Sequence, residues 1–226
     1  QYCYTTKNMF DRDTLLTFKR LLDKCPDRIM DALDSLSANQ FESKDWLVEK
    51  LNQYPHHYRY KTLDKKIDIC LLASWYGLLA YRLIENFTLK KINNIDCIDY
   101  DPMAKTVAKT IWHQLHTENL KNSKLSYVKY MEQDIEKIEQ LDYPVVICTS
   151  CEHLQQNTIY KTLSKLEKDT LVVLQSNNYT EESQHVNCVA TVEDFANQYV
   201  SKLRNIKHYE KDFGKYKRFM VIGTKI

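Results

Sequence analysis

From residue 65 to residue 226, short apolar runs alternate with longer amphipathic stretches, and this alternation constrains the fold more than any other feature. The runs KKIDICLLA, INNIDCIDYD, LSYVKYMEQD, DYPVVICTS and DTLVVLQSNN read as strands. Between them, LLAYRLIENF, PMAKTVAKTIWHQLHTENL, QQNTIYKTLSKL and TVEDFANQYVSKL read as helices, with Asp101 and Pro102 opening the second. Strands joined through helices need right-handed crossovers, and such units wind into a sheet covered on both faces. The strings NIKHYEKDF and YKRFMVIGTKI close the chain as a hairpin through Gly214. The expected fold is α/β: a doubly wound, mostly parallel seven-stranded sheet whose last strand is antiparallel.

A helical preface comes first. Leu15, Phe18, Leu21, Leu22, Ile29, Met30 and Leu33 sit at helical spacing, and Pro26 divides them into two helices. A third helix is expected over about residues 43–53, with Ser43 as its N-cap. The chain thus divides into a helical cap or extension over 1–60 and an α/β domain over 61–226.

Composition narrows the function. The 32 Lys+Arg nearly balance the 30 Asp+Glu, so the whole chain has no strong pull toward nucleic acid or anionic membrane. No apolar run approaches the ~20 residues of a membrane span, and no secretory signal is visible. The seven cysteines are an odd number, and Cys70, Cys97 and Cys148 lie in apolar runs, which suits a reducing, cytoplasmic setting. Only three glycines occur, where about 16 would be average at ~7%. That count excludes a glycine-rich phosphate loop.

Ligands of open α/β sheets bind beyond the carboxyl ends of the strands. Those ends carry ASWYG, DYD, QD, CTSCEH and QSNNY. Asp99 lies 22 residues after Gly77, where a carboxylate can accept two hydrogen bonds from a ribose diol. The plainer alternative is that Asp99 and Asp101 end a strand and cap a helix.

In this order of elements, residues 65–226 resemble the class I S-adenosylmethionine-dependent methyltransferases. The resemblance implies S-adenosylmethionine as cofactor, held by Ala73, Ser74, Trp75, Tyr76 and Gly77 of ASWYG, with Asp99 on the ribose, Asp134 near the adenine amino group, and Ser150. Gln40 and Lys44 stand where the family often grips the methionine moiety. The chain departs from the pattern: for an acid and three glycines it has Leu71, Ala73, Trp75 and Gly77. The strings TSCEH, LQSNNY, QHVNCV and KRFMVIG also resemble methyltransferase-like proteins of bacteriophages, for which the compartment is the host cytoplasm.

The catalytic candidates are Glu152 and His153, with His185 joining from the next strand end. Methyl transfer needs an acceptor held in line with the sulfonium, often beside a base, and an imidazole suits neutral pH. Asn177, Asn178 and Tyr179 could orient an acceptor. Two alternatives stay open: Cys151 as a nucleophile with His153 or His185, and a metal held by Cys148, Cys151, His153 and His185. His56, His57, His113 and His116 are read as surface or packing residues. The acceptor, whether small molecule, nucleic acid or protein, has no sequence code, and no oligomeric state is implied. The competing function is a catalytically inactive structural or interaction protein, for example a phage component. Trp75 discriminates, because an indole at a glycine position must either wall the cofactor pocket or plug it.

Overall fold

The computed structural model describes residues 12–54, 66–87, 92–112 and 127–226. The histidines at 56, 57, 113 and 116 fall outside them. Seven strands form one sheet: β1 (Ile67–Leu72), β2 (Ile92–Asp99), β3 (Tyr127–Glu132), β4 (Val145–Cys148), β5 (Leu171–Asn177), β6 (Leu203–Asp212) and β7 (Lys217–Lys225). Their order is β3-β2-β1-β4-β5-β7-β6. The first five pair in parallel, and β7 runs antiparallel between β5 and β6. The expected architecture is present, with β1 in the interior of the sheet between β2 and β4.

Strands β1, β4, β5 and β7 are near-continuously buried runs because both faces of the sheet are covered there. The pleat sorts alternate residues to opposite sides. Ile67, Ile69, Leu71, Val145, Ile147, Leu171, Val173, Met220 and Ile222 face one cluster. Cys70, Leu72, Val146, Cys148, Val172, Leu174, Phe219 and Val221 face the other. On the first side lie α1 (Arg12–Lys24), α2 (Ile29–Ser35), α3 (Ala38–Gln53), α4 (Leu78–Asn86) and α5 (Ala104–Ile111). On the second lie α6 (Gln156–Ser164) and α7 (Val192–Asn197). The N-terminal helices therefore share one core with the sheet, through Leu21, Ala32, Trp46, Leu47, Val48 and Leu51.

Several boundaries differ from those read in the sequence. Helix α3 begins at Ala38, five residues before the expected cap. Ser43 is not an N-cap: it is buried in mid-helix, where its hydroxyl donates to Gln175 Oε1 at 3.4 Å. Helix α5 begins at Ala104, because Asp101 first closes a turn by accepting from Met103 N at 2.9 Å. Helix α7 stops at Asn197, well short of the expected residue 203. Of the apolar residues on α1 and α2, Leu15, Leu22, Met30 and Leu33 are exposed, so helical spacing overstated the buried face there.

Candidate functional site

A cavity of about 900 Å³ opens at the carboxyl ends of the parallel strands, within the usual ligand-pocket range of about 300–1,000 Å³. Its walls include Gln40, Lys44, Ala73 to Tyr76, Asp99, Asp134, Ser150, Glu152, His153 and His185. Twelve of the thirteen site residues expected from the sequence thus meet around one space. The exception is Gly77, which is buried and absent from the walls. Its hydrogen side faces Tyr130 instead: a Cβ added there would lie 2.5 Å from the Tyr130 hydroxyl. Gly77 is a packing residue at the start of α4, as its close approach requires.

The loop after β1 keeps a glycine-like backbone with almost no glycine. Ala73, Trp75 and Gly77 have φ of 47°, 48° and 77°. A left-handed conformation costs an ordinary residue roughly 1–2 kcal/mol and persists only where surroundings over-determine it. Here the surroundings are visible. Ser74 N donates to Ile98 O at 3.0 Å, and Trp75 N donates to Asp99 Oδ2 at 2.7 Å. Asp99 Oδ1 accepts from Asp101 N at 3.0 Å, so one carboxylate ties the ends of β1 and β2 together. Burial raises the Asp99 pKa from its ordinary value, against the pull of these N–H donors. The Trp75 ring stacks on Tyr76 at 5.2 Å and lines the cavity, which stays open beside it.

The other walls come from distant segments. Arg28, between α1 and α2, pairs with Asp101 at 3.1 Å and Asp31 at 3.3 Å, joining the helical segment to the β2 end. Asp134 accepts from Glu136 N at 2.9 Å, capping a short turn at the cavity rim. Ser150 Oγ donates to Ala73 O at 3.4 Å. Lys44 Nζ donates to Gln40 Oε1 at 3.0 Å, one helical turn away.

Glu152 lies on a single 3-10 turn, Cys151–His153, and is only 3% exposed. Its Oε1 accepts from Asn177 Nδ2 at 2.8 Å and from Arg218 Nη2 at 3.2 Å. Its Oε2 is buried without a partner. Arg218 also donates to Thr149 O at 2.7 Å. Sequence reading missed Arg218; the available signal was an arginine opening the buried run FMVIG. Because β7 is antiparallel, its first residues reach the same sheet end as the last of β5, and Asn177 stands opposite Arg218. Burial, with the Arg218 charge adding to it, pulls the Lys44 pKa down to about 7.

The two histidines face each other at 4.6 Å between ring centroids. His185 arrives on the loop after β5, which is pinned where Val186 N and Asn187 N both donate to Glu152 O at 2.8 and 3.0 Å. His185 Nδ1 lies 2.6 Å from Tyr179 O, and a carbonyl can only accept, so Nδ1 carries the proton. His153 has one edge exposed, yet burial pulls its pKa below the ordinary imidazole value, against the opposing effect of Glu152. The cysteine alternatives do not hold. Cys151 is fully buried, with its thiol pushed well above the ordinary range, and it turns toward Cys148 O at 3.8 Å rather than a histidine. Cys148 points into the core, so neither cysteine joins the histidines. All six described cysteines are free thiols.

No family model matches the chain, and no curated protein is significantly similar to it. Solved structures are similar in fold. Magnesium protoporphyrin IX methyltransferase (ChlM) from Synechocystis PCC 6803, solved with bound SAH, superposes with a TM-score of 0.62 at 12% identity, over 96% of this chain and 100% of that one. N-methyltransferase NodS from Bradyrhizobium japonicum WM9 gives 0.57 at 13% identity, over 83% and 98%. A methyltransferase-type protein from Bacillus halodurans gives 0.53 at 10% identity, over 81% and 98%. The chain therefore has the Rossmann-like methyltransferase fold. Among the described residues, no helix is long and apolar enough to cross a membrane.

Proposed function

We propose that this protein transfers a methyl group from S-adenosylmethionine to a polar acceptor, using the cavity at the strand ends. The observation that carries the reading is the left-handed 73–77 loop, held on Asp99 at the wall of an open cavity of about 900 Å³. Strain at non-glycine residues marks functional sites more often than idle ones. The donor set fits the cofactor: Lys44 and the Gln40 amide for its carboxylate, the Asp99 carboxylate for its ribose, and Asp134 for its adenine amino group. The Ala73–Tyr76 loop and Ser150 would border the methionyl part. When bound, the cofactor supplies a methyl group activated on a sulfonium. Glu152, His153 and His185 would hold the acceptor in line with the sulfonium. The helical segment within 1–60 would cover the cofactor while sharing its core with the methyltransferase part within 61–226.

The fold comparisons support the methyltransferase reading; the bacteriophage-type resemblance rests on four short strings alone. A plugged, inactive module is disfavoured by the position of Trp75 on the wall of an open space. Calorimetry with S-adenosylmethionine and S-adenosylhomocysteine tests the reading. Binding weakened by Asp99→Ala, with a change in Trp75 fluorescence that Trp75→Phe abolishes, is the expected result. No binding at millimolar ligand would overturn it and favour the non-enzymatic role.

A further inference from the structure

We propose that Glu152, His153 and His185 form a binding site for a borderline divalent cation of the Zn²⁺ or Co²⁺ type. One ligand atom from each lies within 4.8 Å of the others. A tetrahedral cation with bonds of about 2.0–2.2 Å separates its ligands by about 3.4 Å. Closing the remaining gap takes a shift of roughly 1 Å at each side chain, within the reach of small rotamer changes.

Two independent features point to a cation rather than to idle polar groups. The first is the orphaned carboxylate oxygen. Glu152 is only 3% exposed, borders the cavity, and leaves Oε2 without a partner. Buried polar atoms almost always find one. The second is orientation. Ligating histidines usually donate their other ring N–H to a backbone carbonyl, and ligating carboxylates are themselves hydrogen-bonded. His185 does the former through Nδ1 and Tyr179 O, leaving Nε2 free to ligate. Asn177 and Arg218 fix Glu152 through Oε1 alone. Two imidazoles and one carboxylate match a known catalytic zinc set.

Three protein ligands leave a coordination position open toward the cavity. If the cavity carries out methyl transfer as proposed, that position would take an oxygen of the acceptor. Cation binding does not depend on that reading.

The test titrates the cofactor-free full-length protein with Co²⁺, following visible absorption, and with Zn²⁺ by calorimetry. Affinity for S-adenosylhomocysteine is measured in parallel as a check on folding and on the cofactor site. One cation per chain is expected. His153→Ala and His185→Ala should each weaken it on the order of 100-fold or more, while Cys188→Ser leaves it intact. Absence of Co²⁺ binding at millimolar metal, or binding that both histidine variants keep unchanged, overturns the cation site and leaves methyl transfer standing. Cation binding that needs both histidines, without any S-adenosylhomocysteine binding, supports the site and defeats the methyl-transfer reading.

Discussion

Glu152 and Arg218 are each almost fully buried and each is the other's charge partner. Removing one side of a buried pair leaves an uncompensated charge and costs about 3–5 kcal/mol. Glu152→Gln should therefore lower the melting temperature on the order of 10 °C, although its position in the sequence suggests a substitution harmless to folding. A double variant, Glu152→Gln with Arg218→Met, should recover most of the loss, and thermal denaturation of all four proteins closes the cycle. Lys44 provides a second expectation. Its folded pKa, about 7, lies below its ordinary 10.5, so the unfolded chain binds more protons between those values. The penalty for the buried ammonium is thus complete below pH 7 and is relieved as pH rises toward 10.5. Compared with Lys44→Met, the parent protein should gain stability across that window, and the variant should be the more stable below it. Denaturant melts at a series of pH values measure the difference. An anionic ligand beside Lys44 would raise its pKa, so cofactor binding at pH 8 should take up a sizeable fraction of a proton. Calorimetry in buffers of different ionisation enthalpy reads that uptake.

The β1–α4 connection shows how an element can keep a shape while changing its residues. Ala73 and Trp75 hold left-handed backbones because hydrogen bonds from the neighbouring strand end hold them there, not because their side chains prefer it. Gly77 differs, since it is needed for both conformation and space. Gly77→Ala should destabilise far more than Gly214→Ala. At Gly77 a Cβ meets Tyr130 at 2.5 Å, whereas at Gly214 nothing lies within 4 Å. The second substitution bears only the left-handed penalty, about 1–2 kcal/mol. Chemical denaturation of the two variants gives the order. The glycines were visible in the sequence, but only Gly77's partner across the sheet separates the two outcomes.

For the whole molecule, the N-terminal helices are part of the core. Trp46, Leu47, Val48 and Leu51 of α3 are buried with the sheet residues. At about 1.5–3 kcal/mol per buried side chain, these four contribute about 6–12 kcal/mol. That rivals the about 5–15 kcal/mol holding a typical domain together. A chain starting at residue 61 should therefore lack a cooperative unfolding transition, which calorimetry or near-ultraviolet circular dichroism would detect. A sharp, parent-like melt of that fragment would show that the helical segment is a detachable cap.

Local chemistry was enough to make the sheet legible. Apolar runs of strand length, amphipathic stretches between them and a glycine turn near the end are short-range signals, and the strands followed from them. The strand ends also announced Asp99, Asp134, Ser150, Glu152 and His153, because the loop after a parallel strand must face the ligand side. Long-range order decided the rest. The insertion of β7 between β5 and β6 brings Arg218 to Asn177 and Glu152, across 66 residues of chain from the latter. The early start of α3 sets Gln40 and Lys44 on the same cavity, and the loop pinned to the Glu152 carbonyl turns His185 toward His153. No local pattern encodes such partners, because a buried charge and its counter-charge are matched through space, by packing and desolvation, not along the chain.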